Sequence, residues 1–232
     1  MRSIFIKKSA LLLSTLLMTS ACYAAVDHEE GGYAGTTDQG HDAVVYNFLK
    51  HFNYEQYYYS YKHQWSTNNN NRVDAMDFAI FGGHGNRWLI AGLDGSVDLS
   101  TAGSSSNKGY GDLDAEFIAF ESCYVVPSPI EVADWYSNWT KAGGVFDGLH
   151  QAVGFHTVSW QSTDQNVSDY FGSRIASGAA VWQAWFDAIN TKGRSDEHGS
   201  AVMYPPADGD TYASFVADPA IGHTNLRVWY QY

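Results

Sequence analysis

Three short runs of nearly unbroken apolar residues punctuate the chain. They are Asp77-Phe78-Ala79-Ile80-Phe81, Glu116-Phe117-Ile118-Ala119-Phe120, and Ala152-Val153-Gly154-Phe155 within His150 to His156. Runs of this length, bounded by Gly, Ser or charged residues, read as strands buried on both faces. Between them the apolar spacing changes to that of a helix. Ala43, Tyr46, Phe48, Leu49 and Phe52 predict a helix over Asp42 to Phe52. Pro129 to Trp139 predicts another, with Pro129 near its first turn. Val167 to Ala176 and Ala179 to Ile189 predict two more, interrupted at Ser177-Gly178. Trp88 to Ala91, Ala201 to Tyr204 and Leu226 to Tyr230 read as further short strands. Strands alternating with helices define an α/β fold with a mostly parallel central sheet flanked by helices.

The remaining segments are less regular. Residues 25–40 are polar and Gly-rich and read as an exposed lead-in. Tyr54, Tyr57, Tyr58, Tyr59, Tyr61 and Trp65 crowd one stretch. It reads either as a strand or meander packing its rings on a sheet, or as a ligand platform. Asn68 to Asn71 and residues 94–112 read as loops. With no internal repeat and no linker, one domain over 25–232 is expected.

The first residues read as an address. Arg2, Lys7 and Lys8 precede an apolar run from Ala10 to Met18, too short to span a bilayer. Cys22-Tyr23-Ala24 then fits a small-x-small cleavage site, so 1–24 is expected to be a secretory signal peptide. The rival reading is a bacterial lipoprotein modified at Cys22. Thr19-Ser20-Ala21 argues against it, because an aliphatic residue is normally expected at the first of those positions. Export to the periplasm or outside the cell follows, with no membrane contact expected once the leader is removed.

Composition narrows the chemistry. The net charge of −12 argues against nucleic acid, which needs a basic face. Removing 1–24 takes three positive charges and no negative ones, leaving −15. Two cysteines exclude a disulfide scaffold and a Cys-rich metal site. Leader removal leaves one, Cys123.

Ligand sites of parallel sheets lie at the carboxyl ends of the strands. One predicted strand ends in Gly82-Gly83-His84-Gly85 and the next in Glu121-Ser122-Cys123. A cysteine nucleophile needs a nearby base or cation to form its thiolate, and histidine is the common one. Neighbouring strands lie about 5 Å apart, so their loops can bring a thiol and an imidazole close together. The Gly85 and Cys123 amides could then hold a developing oxyanion.

These two blocks, Phe78-Ala79-Ile80-Phe81-Gly82-Gly83-His84-Gly85 and Phe117-Ile118-Ala119-Phe120-Glu121-Ser122-Cys123, resemble the caspase–legumain–gingipain group of cysteine peptidases. Glu121-Ser122-Cys123 is similar to the Glu-Ala-Cys of legumain-type enzymes, with Ser for Ala. Val153-Gly154-Phe155-His156 and the Ala180 to Phe186 segment also look like the downstream part of that group. Within it, the chain is most similar to a bacterial family of uncharacterised secreted domains. The resemblance covers about residues 40–190. It implies a single caspase-like three-layer sandwich, with His84 as general base or acid and Cys123 as nucleophile. It also implies an oxyanion hole at Gly85 and Cys123, a peptide or protein substrate, and no cofactor or metal. Glu121 would stand at the wall of the first specificity pocket, beside Ser122, unless an Arg of the fold satisfies it; His156 would lie near the substrate. The chain departs from the group in being short and in showing no clear prodomain.

Blander readings stand beside these. Cys123 alone reads as a buried thiol. His150 and His156 are six residues apart, a spacing that suits no compact zinc motif, and read as structural. Asp94 to Asp98 and Asp208 to Asp210 read as solvated acidic turns rather than calcium loops. Three functions remain open: a secreted cysteine endopeptidase, an inactive peptide- or protein-binding relative, and a carbohydrate-binding protein using the Tyr/Trp surface. An acyl transferase or ligase would use the same dyad. The oligomeric state is left open.

Overall fold

The computed structural model describes residues 29–37, 40–65, 72–101, 109–141, 144–220 and 225–232. The expected signal peptide and the Asn68–Asn71 loop lie outside them. Elements follow in the order β1 (Glu30–Ala34), α1 (His41–Leu49), β2 (Glu55–Tyr59), α2 (Lys62–Trp65), β3 (Phe78–Gly82), β4 (Gly85–Asn86), β5 (Leu89–Gly92) and β6 (Gly95–Asp98). Then come β7 (Phe117–Glu121), α3 (Trp135–Thr140), β8 (Gln151–Phe155), α4 (Asp164–Ala176), α5 (Val181–Lys192), β9 (Gly199–Met203) and β10 (Arg227–Tyr230).

Seven strands form one sheet in the order β10-β9-β8-β7-β3-β1-β2. β2, β1, β3, β7 and β8 run parallel, and β9 and β10 each pair antiparallel with their neighbour. The three apolar runs are β3, β7 and β8, side by side in the middle. Alternate residues feed opposite cores, as a pleated strand requires. Phe78, Ile80, Phe117, Ala119, Val153 and Phe155 pack under α1, α4 and α5, against Phe48, Phe171 and Trp185. Ala79, Phe81, Ile118, Phe120 and Ala152 face a second core holding Trp65, Trp88, Trp135 and Trp139. That second layer is built from α2, α3, turns and the small antiparallel sheet β4-β5-β6 rather than from long helices.

Three expectations need correction. The segment 25–40 is not an exposed lead-in: Glu30–Ala34 is fully buried and pairs with both β2 and β3. Its glycines hid it from the hydrophobic pattern, yet they let α1 lie close. A Cβ on Gly32 would collide with Val45 and stand 2.7 Å from Leu49 Cδ1. The helix expected over Pro129 to Trp139 begins only at Trp135, with turns before it. The loop expected over 94–112 contains β6 and ends on buried Tyr110, whose hydroxyl donates to the Trp65 carbonyl at 2.7 Å.

The turn Asp208 to Asp210 is also not simply solvated. Asp210 is buried and lies 2.7 Å from Nδ1 of equally buried His150, and it accepts the Val216 amide. His150 is thereby tied to the Asp208–Asp210 turn.

Candidate active site

β3 and β7 pair in parallel with Gly82 opposite Glu121. His84 and Cys123 each lie two residues beyond that pair, at the carboxyl end of the sheet. The Gly83 amide donates to the Glu121 carbonyl at 3.2 Å, extending the pairing one residue past the strands. The His84 side is tied further along, where the Trp88 amide donates to the Val125 carbonyl at 3.2 Å.

Among the described residues, the two non-glycine residues with positive φ are Trp88 (55°) and Tyr124 (59°). Tyr124 immediately follows Cys123, and Trp88 lies in the turn between β4 and β5, four residues past His84. A bulky residue in the left-handed region costs of order 1–3 kcal/mol and persists only where its surroundings enforce it. Tyr124 is held by its amide, which donates to the Thr157 carbonyl at 2.9 Å. The turn that carries Cys123 is thus strained and clamped to the segment after β8.

The thiol is half-buried. Its Sγ lies 3.4 Å from the Ser159 carbonyl oxygen and 3.4 Å from the Ser159 backbone nitrogen, which donates to it. The Ser159 hydroxyl donates to Glu121 Oε1 at 2.8 Å. Glu121 is buried, and its other oxygen meets no partner. Burial, reinforced by nearby Asp164 and Glu197, pushes its carboxyl well above the ordinary range. Burial also raises Asp164 to about 7. Among the described residues no arginine pairs with Glu121; its partner is the Ser159 hydroxyl.

His84 is exposed, and its ring meets His41 edge-on at 5.0 Å. His41 is buried at the start of α1, with Nδ1 3.1 Å from Thr36 Oγ1. His84 is therefore backed by a second imidazole at the point where strand order reverses, between β1 and β3. Among the described residues no hydrogen bond joins the His84 ring to the Cys123 thiol. The fold brings both to adjacent strand ends and directs the thiol to Ser159. Gly85 lies against Ser122: a Cβ there would overlap Ser122 Oγ and Val125 Cγ2. Ser122 is buried, and among the described residues its hydroxyl meets no hydrogen-bond partner.

His156 is also accounted for. Its Nε2 lies 2.9 Å from the Gln231 carbonyl and its Nδ1 3.4 Å from Glu131, on the β10 side of the sheet. Ser159 and His41 were not legible in the sequence. Ser159 follows the third apolar strand by four residues, the one signal it offered. His41 became visible only once β1 was known, because β1 places the switch point beside it. Among the described residues no group of three or more His, Cys, Asp or Glu could hold a metal ion.

The class this defines is a mixed α/β protein with a large, mostly parallel sheet flanked by helices. Residues 17–226 match a family described as a domain of unknown function, DUF6345, and the chain belongs to it. No curated protein matches the chain.

Proposed function

We propose that the protein is an exported cysteine endopeptidase built on a single caspase-like sandwich, with His84 and Cys123 as its dyad. The observation that carries this reading is their equal displacement from the Gly82–Glu121 pair, with strained Tyr124 immediately after Cys123. The strand order supports it as well, because the dyad stands beside the switch point of a parallel sheet, where such sheets bind ligands.

In this reading His84 takes the Cys123 proton, and the thiolate attacks the scissile carbonyl carbon. The Ser159 amide already donates to Sγ and favours the anion. Negative charge gathers on the carbonyl oxygen, held by the Gly85 and Cys123 amides. The Cys123 amide donates to no described backbone carbonyl, so it is available for that role. Protonated His84 gives its proton to the departing amine, leaving a thioester. Water, deprotonated by His84, cleaves the thioester and restores the thiol. Glu121 acts as a buried prop beneath the Cys123 turn, held by the Ser159 hydroxyl, rather than as an open pocket wall.

The test is labelling by peptidyl thiol-reactive probes that end in Lys, Arg or Asn. Wild type, His84→Ala and Cys123→Ala are compared on folded protein. Labelling at Cys123 that depends on His84 and on the terminal side chain is the expected result. Labelling equal without His84, or absent, overturns the dyad.

One observation favours a second reading, a non-catalytic peptide-binding relative. The thiol is bonded to Ser159, not to His84. Peptide capture that survives Cys123→Ala without turnover distinguishes it.

A further inference from the structure

β2 is the outermost strand on its side of the sheet, and its two faces differ. Tyr58 turns inward and stacks on Tyr33 at 5.4 Å. Glu55, Tyr57 and Tyr59 turn the other way, towards α1. Between α1 and β2 lies a cleft of about 710 Å³, within the range of small-molecule sites. Tyr57 and Tyr59 meet edge-on at 5.6 Å and form one aromatic wall. Tyr46 of α1 stands on the opposite wall. The three rings are 40%, 38% and 63% exposed, so no described part of the fold uses them as core.

The charges in this cleft are unbalanced. Asp42 lines one end and Glu55 the other. The cleft's cation, Lys50, is engaged elsewhere, 2.9 Å from Asp169 and 2.9 Å from Asn47 Oδ1. The lining therefore offers two carboxylates and three tyrosine rings. The π faces are electron-rich and attract a cation within about 6 Å. Asp42 Oδ1 already accepts the Ala43 amide at 2.8 Å, so this carboxylate contributes chiefly by its charge, which suits a cation that has few or no N–H groups.

We infer that the α1–β2 cleft is a binding site for a small organic cation of the alkylammonium class. Its rings form the walls and Asp42 and Glu55 supply the countercharge. Neither dyad residue lines the cleft, and the inference does not depend on the dyad's activity.

Choline is the probe, measured by titration calorimetry and tyrosine fluorescence. The control is 3,3-dimethylbutan-1-ol, which has the same shape without the charge. The expected result is saturable choline binding about tenfold tighter than the neutral isostere. Tyr57→Leu and Asp42→Asn should each weaken it severalfold, while Trp229→Leu and Cys123→Ala leave it unchanged. Equal binding of the isostere overturns the inference in favour of a merely apolar cleft. Binding of a neutral oligosaccharide in place of choline overturns it in favour of a sugar site. Absence of saturable choline binding also overturns it. The isostere comparison uses wild-type protein, so it holds even if a variant fails to fold.

Discussion

The Cys123 thiol is bracketed by one residue: Ser159 offers its amide and its carbonyl to Sγ, each at 3.4 Å. The same serine uses its hydroxyl to hold buried Glu121. These contacts separate cleanly by chemistry, because the first two are backbone and the third is side chain.

Ser159→Ala therefore removes only the bond to Glu121. A buried carboxyl already short of one partner loses its other. The expected cost is about 1–3 kcal/mol of stability, read as a lower midpoint in urea. Alkylation of Cys123 by iodoacetamide should change little, since its backbone contacts remain. A large rate change with unaltered stability would show that the serine hydroxyl acts on the thiol directly.

Tyr124 sits at φ 59° immediately after the thiol. Tyr124→Gly exchanges relief of that strain for greater freedom of the unfolded chain. Stability should stay within about 1 kcal/mol of wild type. Tyr124→Val places a β-branched residue where it is poorly tolerated and should cost about 1–3 kcal/mol more than the glycine variant. Equal stability of the two variants would mean the turn relaxes to an ordinary conformation at little cost.

Several carboxyls are raised by burial: Glu30 and Asp164 to about 7, Asp74 to about 8, Glu116 to about 9, and Glu121 well above its usual range. In the unfolded chain each ionises near pH 4. Between that pH and its folded value, the native state holds the extra proton. Stability accordingly falls as pH rises, by up to about 1.4 kcal/mol per pH unit for each such group. Glu131 and Asp169, lowered by their hydrogen-bond donors, act oppositely and lose their contribution only in acid. The melting temperature should be highest near pH 5 and decline towards pH 9, and Glu116→Gln should flatten the upper part of that decline. A melting temperature that rises over this range would contradict the assignment.

Gly32 underlies the seat of α1. Gly32→Ala forces a Cβ into Val45 and Leu49. Overpacking of this kind costs about 1–3 kcal/mol. Adding Val45→Ala should recover part of the loss in a double-mutant cycle, because the two changes share one space. Strict additivity would place the strain elsewhere.

The middle of the sheet was legible because β3, β7 and β8 are buried on both faces and so are written as continuous apolar runs. The same runs located His84 and Cys123 at equivalent strand ends. β1 escaped for the opposite reason. Glu30-Gly31-Gly32-Tyr33-Ala34 carries little apolar pattern, since its burial comes from the close approach of α1. The Tyr54–Trp65 stretch was legible only by half. Alternation along β2 sends Tyr58 into the core and leaves Tyr57 and Tyr59 outside, and nothing local says that β2 has no outer neighbour among the described residues.

By itself the sequence determined an α/β chain with three central strands and two reactive residues placed alike, because strand burial and strand ends are local features of polarity. The tertiary structure alone decided what surrounds those residues. Ser159 lies 36 residues from Cys123, His41 lies 43 from His84, and Asp210 lies 60 from His150. Contacts of that separation are set by the order in which strands join a sheet. Strand order depends on packing between distant segments, and no local pattern of residues records it.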